Sequence, residues 1–292
     1  MKAVFTTRIG SHYDDAPEQR YHFPRRYLDR VRQAVGDLIV YYEPRRNGGR
    51  QAYFAAARVL RIDADPRRAD HFYAYVDQFI QFPRPASFRA SDSTYEAALS
   101  KADASTNKGA FGNAVRLLAP GEFEAIVRAG MAPAAAEPEE APFELAEEQD
   151  GFERPIEEVV LNRRVRDRAF TSLVRSAYDS TCALTGLRLI NGGGRSEIEA
   201  AHIQPIGNGH DGPDSVRNGL ALSRTLHWMF DRGLMSLEDD GRILLVKRRD
   251  GDGLDPVRRL LHPDGYAHLP EDVRLRPLDR FLRYHRESIF KG

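Results

Sequence analysis

The residues that most constrain this 292-residue chain run from Glu199 to Leu234, EAAHIQPIGNGHDGPDSVRNGLALSRTLHWMFDRGL. A strand-like segment ends in Ala201-His202, and a loop rich in Gly, Asn and Asp leads on to Asn218-Gly219. The apolar run Leu220-Ala221-Leu222 follows, and then a helical segment carries His227 and Asp231 on one face. Three polar residues, His202, Asn218 and His227, are thus spread over a strand end, a loop and a helix within one compact unit. A neutral imidazole with a reference pKa of ~6.5 takes up a proton at physiological pH. An imidazole beside a hard carboxylate suits a divalent ion.

In residue order, spacing and flanks (AHI, then Pro205, NGLALS, His227 and FDRGL) the stretch resembles the HNH nucleases and their ββα-metal motif. That resemblance implies a catalytic set of His202, Asn218 and His227. His202 is the general base of phosphodiester hydrolysis, Asn218 braces the connecting loop with both amide ends, and His227 holds one divalent metal ion. The ion is expected to be Mg²⁺ or Mn²⁺, with Co²⁺ or Ni²⁺ as alternatives. Asp231 is the expected oxygen ligand beside His227. Glu199 is a further candidate, although strand alternation sets it on the face opposite His202. The second ring nitrogen of His202 is expected to donate to a backbone carbonyl. One departure stands out: Ala201 occupies the position where many members carry Asp or His. His210-Asp211 reads as a flexible polar loop, and Trp228 and Phe230 read as core or helix-packing residues.

The only cysteine, Cys182, excludes an internal disulfide and suits a reducing compartment. Thr185 stands where many HNH proteins complete a Cys-x-x-Cys knuckle, so no structural zinc is expected and packing must hold this turn. No apolar run approaches the ~20 residues needed to span a bilayer. The first residues lack the apolar core of a signal peptide. A cytoplasmic chain without membrane contact is expected.

Net charge is zero, but it is unevenly placed. Seven acids and no Lys or Arg lie between Glu137 and Asp150; without them 43 basic residues face 36 acidic ones (43 less 7). The folded parts are therefore mildly basic, which permits phosphate binding. The Ala/Pro/Glu composition around this run reads as a solvated linker over residues 131–152. A helix expected over Pro155–Tyr178 carries Arg163, Arg164, Arg166, Arg168 and Arg175 on its polar face, either solvated or set against phosphates. A strand at Gly241–Lys247 and a terminal helix at Leu278–Phe290 complete the expected domain, residues 153–292.

The first 130 residues form the other expected domain. Strands are expected at residues 2–10, Leu38–Tyr42, Ala52–Ile62 and His71–Asp77, with an extended stretch at Phe79–Phe88. Helices are expected at Asp29–Val35, Ser93–Ser100 and Pro120–Arg128, with a loop at 106–113. The turn Glu43–Arg50 has hairpin chemistry, with Asn-Gly and Gly-Gly supplying positive φ. RYHFPRRYL, GDLIVYYEPRRNGGRQAYFAAARVLRI and YVDQFIQFPRPASF are similar to EVE-type members of the PUA-like superfamily, which are related to the SRA domains. This resemblance implies a bent β-barrel that flips a modified base into an aromatic pocket. Candidate pocket residues are Tyr13, Asp14, Tyr21, His22, Phe23, Tyr41, Tyr42 and Glu43. Strand alternation points one of Tyr41 and Tyr42 inward and the other outward. Arg45, Arg46 and Arg50 are candidate DNA-backbone contacts.

Together these readings predict an α+β chain with a PUA-like reader, a linker and a C-terminal HNH nuclease domain with flanking helices. The expected function is that of a modification-dependent, type IV-like restriction endonuclease. It would read 5-methyl- or 5-hydroxymethylcytosine in double-stranded DNA and cut nearby, as a stable or transient homodimer. The alternatives are a non-catalytic binder of modified nucleic acid and an unspecific HNH nuclease.

Overall fold

A computed structural model describes residues 1–292 apart from Ile9, 91–92, Ala102, Ala104, 133–162, Asn208, 248–253 and the side chains of Arg46 and Arg164. The linker expected at 131–152 and the opening of the helix expected from Pro155 therefore fall, from residue 133, outside the described residues. The chain divides into two compact units. The first holds residues 1–132 with 163–169, and the second runs from Phe170 to Gly292. Among the described residues no helix is long and apolar enough to cross a membrane.

The first unit is built on β1 (Ala3–Thr6), β2 (Arg20–Pro24), α1 (Leu28–Ala34), β3 (Leu38–Glu43), β4 (Ala52–Ala64) and β5 (His71–Ser87). The short pair β6 (Arg89–Ala90) and β7 (Ser93–Thr94), α2 (Lys108–Phe111), β8 (Val115–Leu117) and α3 (Pro120–Met131) follow. Six strands form one curled half-barrel sheet in the order β2-β5-β4-β3-β1-β8. Only β1 and β3 run parallel within it. Period-two alternation divides its side chains between two cores. Phe5, Tyr21, Phe23, Ile39, Tyr41 and Phe79 fill one. Val4, Val40, Tyr42, Tyr53 and Phe82 fill the other, with Phe123 and Ile126 of α3. Tyr41 and Tyr42 thus obey alternation, but neither reaches solvent, because both sheet faces are covered.

Several local expectations are corrected. Residues 71–77 and 79–87 belong to one continuous strand, β5, whose register against β4 slips at three places and bends the pair. Pro83 and Pro85 fit because β2 pairs with His71–Tyr75, and among the described residues that edge of β5 has no ladder partner farther along. The helix expected at Ser93–Ser100 is instead β7 and a one-turn 3₁₀ segment, Ala97–Leu99. Glu96 keeps extended backbone there while its buried carboxylate takes hydrogen bonds from Arg116 and Tyr53. The loop at 106–113 contains α2, capped by Asn107, whose side chain accepts from Ala110 N at 3.2 Å.

The second unit takes most of α4 (Arg163–Ala177), then β9 (Glu199–His202), β10 (Gly219–Leu222), α5 (Arg224–Asp231), β11 (Met235–Leu237), β12 (Ile243–Leu245), α6 (Asp255–Leu260) and α7 (Asp279–Ser288). β9 and β10 form one antiparallel pair, and β11 and β12 another. Phe170, Val174, Ala201, Leu220, Leu222, Leu226, Phe230 and Phe281 share one core.

Candidate active site

His202 ends β9 opposite Gly219. Its ring stacks on Phe170 of α4, with centroids 3.6 Å apart and planes 12° from parallel. Nε2 lies 3.0 Å from Oδ1 of Asp214, a carboxylate only 1% exposed. The expected backbone-carbonyl partner is thus replaced by a buried carboxylate, which binds an N–H more strongly. Asn218 is fully buried and uses both ends of its amide. Its Oδ1 accepts from Gln204 N at 2.9 Å, while Nδ2 donates to Gln204 O at 2.9 Å and Pro213 O at 3.0 Å. Its backbone carbonyl accepts from Ile203 N, the residue after His202. Both ends of the loop are therefore held by one side chain.

His227 lies on the second turn of α5, and both of its ring nitrogens face carboxylates. Nδ1 is 2.9 Å from Glu199 Oε2, and Nε2 is 3.5 Å from Asp231 Oδ2. Glu199 lies three residues before His202 on β9, where alternation points the two side chains to opposite faces. The long Glu199 side chain reaches His227, and Asp231 feels the charges of Glu199, His227 and His202 together. Burial tends to raise the pKa of Glu199, but hydrogen bonds from His227 and Arg224 outweigh it and leave the carboxyl below its usual range. Asp231 moves the other way: burial raises its pKa and Glu199 adds to the rise, against the pull of His227 and His202.

A divalent ion fits part of this set. A carboxylate in the last turn of a helix sits at the wrong end of the dipole, so a cation there offsets an unfavourable field. His227 Nε2 and Asp231 Oδ2 are close enough to share one ion. Glu199 occupies the opposite nitrogen, so it orients the imidazole in this arrangement instead of joining the same shell. Among the described residues no group of three or more His, Cys, Asp or Glu side chains is arranged to hold a metal ion. Ala201 is fully buried in the core, so its position carries no ligand. Water and phosphate oxygens would complete the shell.

The helix with His227 and Asp231 ends at Gly233 (φ +70°), with Leu234 N donating to Met229 O and Gly233 N to Phe230 O. Phe230 is buried as expected, but Trp228 is 58% exposed and belongs to no core. The hydrophobic stripe of a short helix is narrow, and Leu226, Met229 and Phe230 already fill it. His210 is less free than expected: its Nδ1 lies 2.8 Å from Tyr284 Oη, and its carbonyl accepts from the Gln204 amide. Cys182 is buried, and Sγ accepts from Ser223 N at 3.4 Å.

In the first unit, the pocket candidates separate by strand face. Tyr13, Asp14 and His22 come together with residues the sequence reading passed over, His71, Tyr73 and Asp65. His22 stacks on its cross-strand partner Tyr73 at 4.6 Å and lies 5.5 Å from the Tyr13 ring. Its Nε2 is 3.1 Å from Asp65 Oδ2, and its Nδ1 accepts from Asp14 N. Burial lowers the pKa of His22, and Asp65 opposes the fall. Asp14 Oδ2 accepts from Arg20 at 2.6 Å and from Tyr73 Oη at 3.3 Å. An adjoining open cavity of about 370 Å³ is lined by Tyr13, Pro24, Arg25, Arg26, Asp70 and His71. Asp15, also passed over, accepts from His22 N, and its pKa is pushed up to about 7 by burial and by Asp14.

The remaining candidates lie elsewhere. Tyr21 and Phe23 point from β2 into the core with Tyr41, whose buried hydroxyl has no hydrogen-bond partner among the described residues. Tyr42 belongs to the other core. Glu43 is buried and accepts from Arg50 N at 3.1 Å, closing the turn it begins. Arg50 also packs over Phe54, whereas Arg45 is exposed.

The HNH endonuclease family, in its HNH_2 form, matches residues 182–238, the span that contains β9, the loop, β10 and α5. No curated protein matches the chain. Among solved structures, one described as "Modification dependent TagI restriction endonuclease" is 15% identical with a TM-score of 0.34, over 98% of this chain and 81% of its own. Another, described as "Structure of the Type IV phosphorothioation-dependent restriction endonuclease ScoMcrA", is 13% identical with a TM-score of 0.23, over 98% of this chain and 50% of its own. Such loose likenesses place no residue and no activity. The family match falls on the strand, loop and helix that carry His202, Asn218 and His227, so these residues of the chain form an HNH endonuclease domain.

Proposed function

We propose that this chain is a modification-dependent DNA endonuclease in which the second unit cuts and the first reads a modified base. The observation that carries the cutting half is the convergence of His202, Asp214, Asn218 and His227 on one strand–loop–helix unit. In this reading His202 takes a proton from the attacking water, and Asn218 keeps the loop closed around it. His227 and Asp231 hold one divalent ion, Mg²⁺ or Mn²⁺ with Co²⁺ or Ni²⁺ as alternatives, oriented by Glu199 through Nδ1. When bound, the ion supplies charge neutralisation at the leaving 3′ oxygen.

The reading half rests on the curled sheet and on the aromatic and acidic cluster of Tyr13, His22, His71, Tyr73, Asp14 and Asp65. Aromatic faces stack a flipped base, and carboxylates accept hydrogen bonds from the exocyclic amine of a cytosine. A PUA-like reader over residues 1–130, a linker over 131–152 and a nuclease domain over 153–292 follow from this reading. A double-strand break requires two active sites, so a homodimer or two molecules acting together is part of the proposal.

Two experiments test the halves separately. Single-turnover cleavage with Mg²⁺ or Mn²⁺ should fall on the order of 10²–10⁴-fold in His202→Ala, with DNA binding retained. His227→Ala should lose activity that excess metal partly restores. Undiminished cleavage by His202→Ala removes the base assignment. Duplexes of one sequence, with and without 5-methyl- or 5-hydroxymethylcytosine, should be cut unequally. Equal cutting leaves an unspecific nuclease and removes the reader.

A further inference from the structure

We propose that Asp214 is a positioning residue for cleavage. Its carboxylate holds His202 in the tautomer that leaves Nδ1 free to take the water's proton. The proposal rests on the reading of His202 as general base.

An ionised carboxylate only accepts hydrogen bonds, so the 3.0 Å contact between Asp214 Oδ1 and His202 Nε2 puts the ring proton on Nε2. The lone pair is then on Nδ1. An Asp in a polar loop is normally solvated, and one only 1% exposed is kept there by its partners. The loop is built to deliver it. Asp214 lies between Pro213, whose carbonyl accepts from Asn218 Nδ2 at 3.0 Å, and Ser215, whose carbonyl accepts from Asn218 N at 2.8 Å. Asn218 therefore sets the backbone on both sides of the carboxylate, with its side-chain amide at Pro213 and its backbone N–H at Ser215. Phe170 fixes the plane of the same imidazole from its face.

In the reaction the water O–H bond breaks toward Nδ1, and the oxygen bonds phosphorus. The P–O3′ electron pair leaves with the 3′ oxygen, which is protonated from solvent. The imidazolium formed on His202 then sits against a buried anion that stabilises it.

The test uses the full chain with Mg²⁺ or Mn²⁺ and compares wild type, Asp214→Asn and His202→Ala. An asparagine whose amide N–H faces Nε2 drives the ring proton onto Nδ1 and blocks the base. The expected result is a fall in kcat on the order of 10²–10⁴-fold with KM for DNA little changed. The acidic limb of the kcat profile should also move to lower pH, because the imidazolium has lost its anion. A merely structural role would not move that limb. Wild-type kcat and an unmoved limb in Asp214→Asn overturn the proposal. Nitrogen-15 NMR of histidine-labelled wild type decides the matter without any variant: Nε2–H is expected for His202, and Nδ1–H overturns it. Undiminished cleavage by His202→Ala would instead overturn the base assignment beneath the proposal, whatever the NMR tautomer.

Discussion

Gly219 faces His202 across the hairpin, and a Cβ there would meet Val174 Cγ2 at 2.5 Å and the Phe170 ring at 3.0–3.1 Å. Gly219→Ala is therefore expected to cost about 1–3 kcal/mol in denaturant unfolding, the range of core overpacking. If His202 is the proposed base, it should also slow cleavage in the fraction that remains folded, since Phe170 must shift under the His202 ring. Wild-type stability would show that α4 gives way freely. The same neighbourhood shows what single residues disclose in a sequence. His202, Asn218 and His227 were legible because their order and flanks carry a pattern. Asp214 and Phe170 were not, since a carboxylate in a polar loop and a Phe in a helical stripe look like solvent and core. Trp228 was misjudged for the converse reason: apolar character alone does not say which side of a short helix a residue occupies.

Elements with one clear period were legible, and elements held by a single distant partner were not. Leu38–Glu43, Ala52–Ala64 and Pro120–Met131 appear close to where apolar periodicity put them. No strand is expected from the sequence at Arg20–Pro24, a polar stretch that ends in proline, yet Tyr21 and Phe23 face the core while Arg20 and His22 face the other way. That alternation was visible but outweighed by the composition around it. The segment Ser93–Ser100 has helical composition and is drawn into a strand and a tight turn by Glu96, whose partner Arg116 lies on β8. No local propensity of a few tenths of a kcal/mol competes with leaving a buried charge unpaired. The base-pocket candidates are divided by the same alternation, because β2 and β3 each send neighbouring aromatics to opposite faces.

Across the whole molecule, the two units carry buried titratable groups of opposite effect. His285 in α7 stacks on Phe230, bonds Ser236, and has its pKa pushed down by burial to about 4. The unfolded chain takes up that proton near pH 6.5 while the native state resists it. The second unit should therefore lose up to roughly 3 kcal/mol through this group as pH falls from about 7 toward 4. Asp15, raised to about 7, acts in the other direction, since the native first unit keeps a proton that the unfolded chain releases near pH 3.8. Its stabilising effect is present at low pH and lost as pH rises toward 7. Calorimetry between pH 7 and 5 should show two transitions, with the second unit's moving down. The first unit's should move up, or fall less, and that difference should shrink in Asp15→Asn. Transitions that move together in both proteins would contradict this assignment. The clamp at Asn218 has a consequence for the architecture of the chain. Gln204 and Pro213 are pinned to one amide, and Gly212 N returns to Pro205 O at 2.8 Å. The excursion between them is thus closed at its neck. Loop-closure entropy rises by only about 0.6 kcal/mol for each doubling of length. This excursion can therefore be lengthened or re-lettered without re-registering His202, Asn218 and His227.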